Sequence, residues 1–164
     1  MSVPTVHETT GTDDENYTYG TRYFDGSLIT RANDIPWTPW GLPGTHFKLL
    51  DVNDDFGWMV FLLKVDPGTP AVMHKHFSAA NAFTIAGWWG YEGRIVKAGE
   101  YIKEAGGISH SPIVGPEGTT MLAFGCGPVG GLDENGNLAG VIDIDWMYKA
   151  AKANGAADHI IRRA

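Results

Sequence analysis

Apolar stretches in this chain are short, and glycine or proline soon follows most of them. The longest unbroken run, Trp58 to Leu63, is six residues. Pro67-Gly68-Thr69-Pro70 turns the chain after it, and Gly87, Gly90, Gly93, Gly99 and Gly106-Gly107 divide the stretch beyond that turn. Twenty-two Gly and nine Pro in 164 residues favour many short strands over long helices. Strand signals fall at 46–51, 58–65, 71–76, 81–86, 88–95, 100–104, 109–114 and 119–126, and Val141 to Ile144 closes the series. Trp58 to Val65 is apolar on both faces, as a sandwich-core strand is. Asp133-Glu134-Asn135-Gly136-Asn137 reads as a hairpin turn. One helix is convincing: Asp145 as cap, Trp146 to Asn154 as body, Gly155 at C′. The expectation is an all-β sandwich or barrel, a jelly roll being the usual solution.

Charge and composition remove several functions. Twelve basic against nineteen acidic residues give a net charge of −7, which argues against a nucleic-acid footprint. No apolar run approaches a membrane span. Met1 to Asp14 has neither a basic nor an apolar signal region, so a cytoplasmic protein is expected. The single cysteine, Cys126, excludes thiolate zinc clusters within one chain and reads as a small buried side chain. Residues 1–33 are polar and read as an arm that orders only against something else. Asp34 to Gly44 is Pro/Trp-rich and extended, with Trp37 and Trp40 expected over an edge of the core or a neighbouring subunit. Gly125 to Gly130 fits GxGxxG, but a hairpin follows it and no helix, so no pyrophosphate site is expected.

Six histidines are present, and three stand in an informative pattern. His74-Lys75-His76 puts two imidazoles on one face of an extended segment, close enough to share a metal ion. His110 follows 34 residues after His76, behind Gly106-Gly107-Ile108-Ser109. His7, His46 and His159 read as solvated.

The framing residues carry a family resemblance. Gly68, His74-x-His76 and Gly87 match the first cupin motif, and Gly99, Ala105-x-Gly107 and His110 match the second. The glutamate usual after the histidine pair is missing from Phe77-Ser78-Ala79-Ala80-Asn81, and Ala105 stands where proline is usual. The chain therefore resembles RmlC-like jelly-roll cupins with a three-histidine site. Phe47 to Leu50, Phe61 to Val65, Glu104, Leu132 to Gly136 and Gly140-Val141 through Asp145-Trp146 also resemble one subgroup. That subgroup holds 2,4′-dihydroxyacetophenone dioxygenase and its relatives, among ChrR-like and acetylacetone-dioxygenase-like cupins.

The resemblance implies a single cupin domain over 34–164, with a helix at about 145–155. It implies His74, His76 and His110 as metal ligands, and Glu104 inside, as a fourth ligand or a base. Phe61, Ala80, Thr84, Trp89, Tyr91 and Ile102 are the implied substrate wall. Three ligands on one face would leave room for a chelating substrate and O2. The expected reaction is cleavage of a C–C bond next to a carbonyl in a diketone or aryl α-hydroxyketone, by non-haem Fe(II). One alternative keeps the site with Zn, Mn or Ni for isomerase, lyase or hydrolase chemistry. Another is a metal- or ligand-binding sensor, as in ChrR-like anti-sigma factors, although residues 1–33 hold only His7 and no cysteine. A homodimer, or a tetramer, is expected by analogy.

Overall fold

The computed structural model describes residues 14–162. It contains fourteen strands and one helix among those residues. Three short strands come first: β1 (Glu15–Tyr17), β2 (Gly20–Arg22) and β3 (Leu28–Thr30) form a small antiparallel sheet. The body begins with β4 (Thr38–Pro39), β5 (Thr45–Asn53), β6 (Trp58–Val65), β7 (His74–His76) and β8 (Ala80–Tyr91). Then come β9 (Arg94–Lys97), β10 (Tyr101–Glu104), β11 (Ser109–His110), β12 (Ile113–Gly125), β13 (Val129–Leu132) and β14 (Leu138–Ile142). Helix α1 (Ile144–Ala153) ends the regular structure.

Two sheets make the body. The larger has seven strands in the order β10-β8-β12-β6-β5-β4, with β9 also on β8; the smaller runs β11-β7-β13-β14. All pairings are antiparallel, which is the jelly-roll arrangement. The sheets are not closed into a barrel, contrary to one of the two expected forms. They are separate hydrogen-bonded sets, and the gap between them is filled by side chains and a cavity rather than by backbone pairing.

The glycine pattern needs one correction. The expected strands 81–86 and 88–95 are largely one strand, β8, with Gly87 inside it at φ +69°. Before Gly87 the inward residues are Ala82 and Thr84; after it they are Trp89 and Tyr91. The parity changes because the ladder to β12 skips Ile85, between the Thr84–Met121 and Ala86–Thr120 pairs, as a bulge does. The partner strand is irregular at the same level, with a register shift between Val114 and Thr119 and Gly118 at φ +73°.

Helix α1 is capped two residues earlier than expected. Asp143 is extended and accepts from Trp146 N at 2.9 Å, so Asp145 falls in the first turn, where a negative charge suits the helix dipole. Met147 and Ala151 are fully buried beneath it in a core with Ile35, Phe47, Leu49 and Ile160. The N-terminal sheet packs against the C-terminal segment. Tyr19 donates to Gly155 O at 3.0 Å, and Thr18 N donates to the Asp158 carboxylate.

His159, read as solvated, is fully buried beside Tyr19, because the first strands cover it. Its Nε2 lies 3.0 Å from Leu49 O, an arrangement that makes it the donor. His46 is half-buried near Asp66, His7 lies outside the described residues, and Cys126 is partly exposed rather than buried.

The close approach at Gly87 and the buried histidine each have a measurable consequence. Adding a Cβ at Gly87 would put it 2.0 Å from Gly118 O, whereas at Gly93 (φ +78°) nothing lies within 4 Å. Gly87→Ala is expected to cost at least about 2 kcal/mol in chemical denaturation and Gly93→Ala about 1 kcal/mol. Burial also depresses the His159 pKa below 6.5, although Asp158 and Asp51 act the other way. Above 6.5 its contribution is fully present; as pH falls below that value the unfolded chain takes up a proton the folded ring resists, and stability drops. His159→Gln keeps a donor for Leu49 O. Its Tm should fall less steeply than that of the wild type between about pH 7 and pH 5.

Candidate metal centre

The smaller sheet brings the three histidines together. His74 and His110 are directly opposite one another in the β7–β11 pair, and His76 lies two residues along the same face. The chain from Gly106 to Ser109 is fastened to β7 by Gly107 N to His76 O at 2.7 Å and by His76 N to Ile108 O at 2.9 Å. Gly107 makes that turn at φ +84°. The glycines of the second motif therefore deliver His110 to the pair.

The three Nε2 atoms are separated by 3.1 Å (His74–His76), 3.1 Å (His76–His110) and 2.7 Å (His74–His110). Val72 O lies 3.2 Å from His74 Nδ1, an acceptor that places the proton on Nδ1 and leaves the Nε2 lone pair facing the cluster. Burial lowers the pKa of all three rings, to about 4 for His76 and about 3 for His110, with neighbouring imidazoles adding to the effect in those two. Near neutral pH the site is three uncharged nitrogen donors on a common point. This donor set fits a divalent ion. Metal–nitrogen bonds of about 2.1 Å span about 3.0 Å across an octahedral face and about 3.4 Å across a tetrahedral one. The observed separations lie nearer the first.

Glu104 reaches the same point from the opposite sheet. The β10–β8 register pairs Ala82 with Ile102 and Ala80 with Glu104, which sets the carboxylate on the inner face. It is 7% exposed, with Oε2 3.4 Å from His76 Nε2 and Oε1 3.4 Å from His110 Nδ1. Burial raises its pKa to about 7, while a hydrogen bond from Tyr91 opposes the rise. The Tyr91 phenol is itself pushed up to about 12, chiefly by burial, and its ring lies 4.0 Å from that of His110.

The site opens into a cavity of about 460 Å³ between the sheets. Phe61, Ala80 and Trp89 line it, together with the three histidines and Glu104. Thr84, Tyr91 and Ile102 are not in its wall. Thr84 accepts from Trp89 Nε1 at 3.0 Å, and Ile102 packs against the cluster of Ala82, Trp89, Tyr91, Val96 and Met121. Sequence reasoning missed Met59, Met121, Ala123 and Trp146, which also line the cavity. Alternation in β6 was the only signal for Met59, and the apolar residues on both faces of that strand concealed it; Met121 and Ala123 come from β12 and Trp146 from α1, through pairing and packing between distant residues.

A family model described as the ChrR cupin-like domain matches residues 25–130. The chain belongs to this family. Among solved structures, an RmlC-like cupin protein from Ralstonia eutropha is 22% identical, with a TM-score of 0.69 over 80% of this chain and 88% of that one. An acetylacetone dioxygenase from Acinetobacter johnsonii is 18% identical, with a TM-score of 0.68 over 77% and 91%. The complex of SigE with the anti-sigma ChrR from Rhodobacter sphaeroides matches at 20% identity and a TM-score of 0.51, over 58% of this chain and 51% of that one. At these identities the likeness is one of fold. No curated protein matches. Among the described residues no helix is long and apolar enough to cross a membrane.

The metal fit is checked with Co(II). The protein is expected to take up one equivalent with the weak visible absorption of a six-coordinate ion. His76→Ala and His110→Ala should each weaken uptake by at least about 100-fold in equilibrium dialysis.

Proposed function

We propose that this cupin is a three-histidine, Fe(II)-dependent dioxygenase that cleaves the C–C bond beside a carbonyl in an aryl α-hydroxyketone or a diketone. The observation that carries the reading is a buried carboxylate poised across the sheets from three convergent neutral imidazoles, at the polar end of an apolar cavity. Three neutral nitrogen donors with open positions opposite them suit iron, the metal this reading needs, and would accept manganese, nickel or zinc as well. Bound Fe(II) supplies the electron exchange with O2 that a closed-shell organic substrate lacks.

The chain's own residues do the rest. His74, His76 and His110 carry no charge to offset that of a cation, so an anionic substrate oxygen is drawn to this end of the cavity. Glu104 takes the proton that makes the oxygen anionic, from the hydroxyl of a hydroxyketone or the central carbon of a diketone. The Tyr91 phenol beside Glu104 favours its carboxylate form. Phe61, Trp89 and Met121 exclude water and receive the aryl or alkyl tail. For an α-hydroxyketone the balance is one ketone and one O2 to two carboxylic acids, with both oxygen atoms retained in the products.

Oxygen uptake tests this. Protein loaded anaerobically with Fe(II) is given β-diketones and aryl α-hydroxyketones in an oxygen electrode. Substrate-dependent uptake is expected. Glu104→Gln should slow it by about 100-fold or more while iron content is retained, and His76→Ala should lose iron and uptake together. No uptake from iron-loaded protein across the panel would move the site to redox-neutral chemistry with Zn, Mn or Ni, or to metal-dependent sensing.

A further inference from the structure

Two glycines of the smaller sheet have no conformational or packing reason to be glycine. Gly131 and Gly140 lack a positive φ, and a Cβ added at either would meet nothing within 4 Å. Every other glycine among the described residues has one reason or the other. Gly130, for instance, is crowded by Leu138 and Phe77. The two unforced glycines are direct cross-strand partners, and Gly131 is also the partner of His74. His110, His74, Gly131 and Gly140 therefore form one row across β11, β7, β13 and β14, on the face that holds the metal centre. The next row on that face, His76, Val129 and Ile142, carries side chains throughout. The glycine row is thus a trough in the cavity wall. At ordinary strand spacing it runs about 10 Å, from His74 to the edge of the sheet.

The cavity opens at the end of that trough. Five of its lining residues are exposed, Gly41, Leu42, Ala139, Gly140 and Val141, and all the others are half-buried or buried. The five belong to two segments, the turn before β5 and the edge strand β14. The topology explains why. Along one side of the sandwich the edge strands β10 and β11 are joined by a short turn, whose Gly106 packs on the backbone of Ser78. On the other side β4 and β14 are sheet edges with no strand beyond them, and α1 bridges them yet leaves those five residues exposed.

We propose that the Gly131–Gly140 trough is the passage by which a ligand reaches the metal centre, entering between Gly140 and the Gly41–Leu42 turn. Glycine inside a strand weakens it, and often marks a place where a ligand approaches the backbone closely. A side chain at either position would project into the route to His74. The exposed lining of the entrance is apolar and uncharged, so it selects by width. The two glycines are then determinants of which molecules arrive, apart from the groups that act on them. The inference rests on the three-histidine centre and not on the reaction proposed above, so absence of ketone oxidation would leave it standing.

The test measures arrival and not turnover. Co(II)-loaded protein is mixed with imidazole or 4-phenylimidazole in a stopped-flow spectrometer, and the visible band reports when the added nitrogen joins the ion. Gly140→Val should slow 4-phenylimidazole by at least about 10-fold and imidazole by less than about 2-fold. Gly131→Ala, a smaller change nearer the ion, should slow the larger probe by about 3-fold. Both variants should take up Co(II) as the wild type does. Both should keep or raise the melting temperature, because glycine is the weaker residue in a strand. A melting temperature lowered in both would show that the glycines serve the fold, and would overturn the proposal. Unchanged rates for 4-phenylimidazole, or equal slowing of both probes, would overturn it too. If neither probe perturbs Co(II) in the wild type, the centre has no position open to a ligand, and the passage and the proposed function fall together.

Discussion

Three imidazole Nε2 atoms converge across 2.7–3.1 Å; with the protons on Nδ1, as in His74, three lone pairs face one another, which neutral rings cannot satisfy among themselves. Each neutral ring has one proton, and that of His74 has an acceptor in Val72 O, on the side away from the cluster. Repulsion between lone pairs is relieved by a cation at the common point or by protonation, and burial disfavours protonation in all three rings. The smaller sheet can hold this arrangement because its strands are fastened by backbone bonds at the level of the histidines. Cation binding and the pairing of β7 with β11 therefore support one another. Weakening either exposes the cost of the other.

The larger sheet supplies what the smaller one lacks. Glu104, Phe61 and Trp89 reach the centre from it, and their aim depends on strand parity. The bulge at Ile85, just before Gly87, is decisive for Trp89 and Tyr91. With strict alternation from Ala82 and Thr84, the inward positions would be Ala86, Trp88 and Gly90, and neither Trp89 nor Tyr91 would face the interior. Only glycine fits at 87, since the carbonyl of Gly118 occupies the space of a side chain.

Much of this was legible because it is written in local spacing. The i, i+2 histidines, the Gly106-Gly107 turn before His110 and the turn after Leu132 are short-range signals, and each is where those signals place it. The inward face of Glu104 was not legible, because the turn between it and His110 breaks the alternation; it is fixed by pairing with β8, a contact between distant residues. The same reason hid His159. Its solvation depended on whether the first strands cover it, and Tyr19 reaches it only through tertiary packing. The cap of α1 was misplaced between two acidic residues, Asp143 and Asp145, either of which sequence alone allows.

The division of labour between the sheets bears on how such a fold changes its chemistry. Cation-holding groups come from one sheet, while the carboxylate and most of the apolar wall come from the other, with Trp40 and Trp146 closing the cavity from a loop and a helix. On the proposed reading, substitutions in the apolar wall would alter which tail fits without touching the histidines, and substitutions at Glu104 would alter proton transfer without touching the apolar wall. A shared three-histidine end is therefore compatible with quite different ligands.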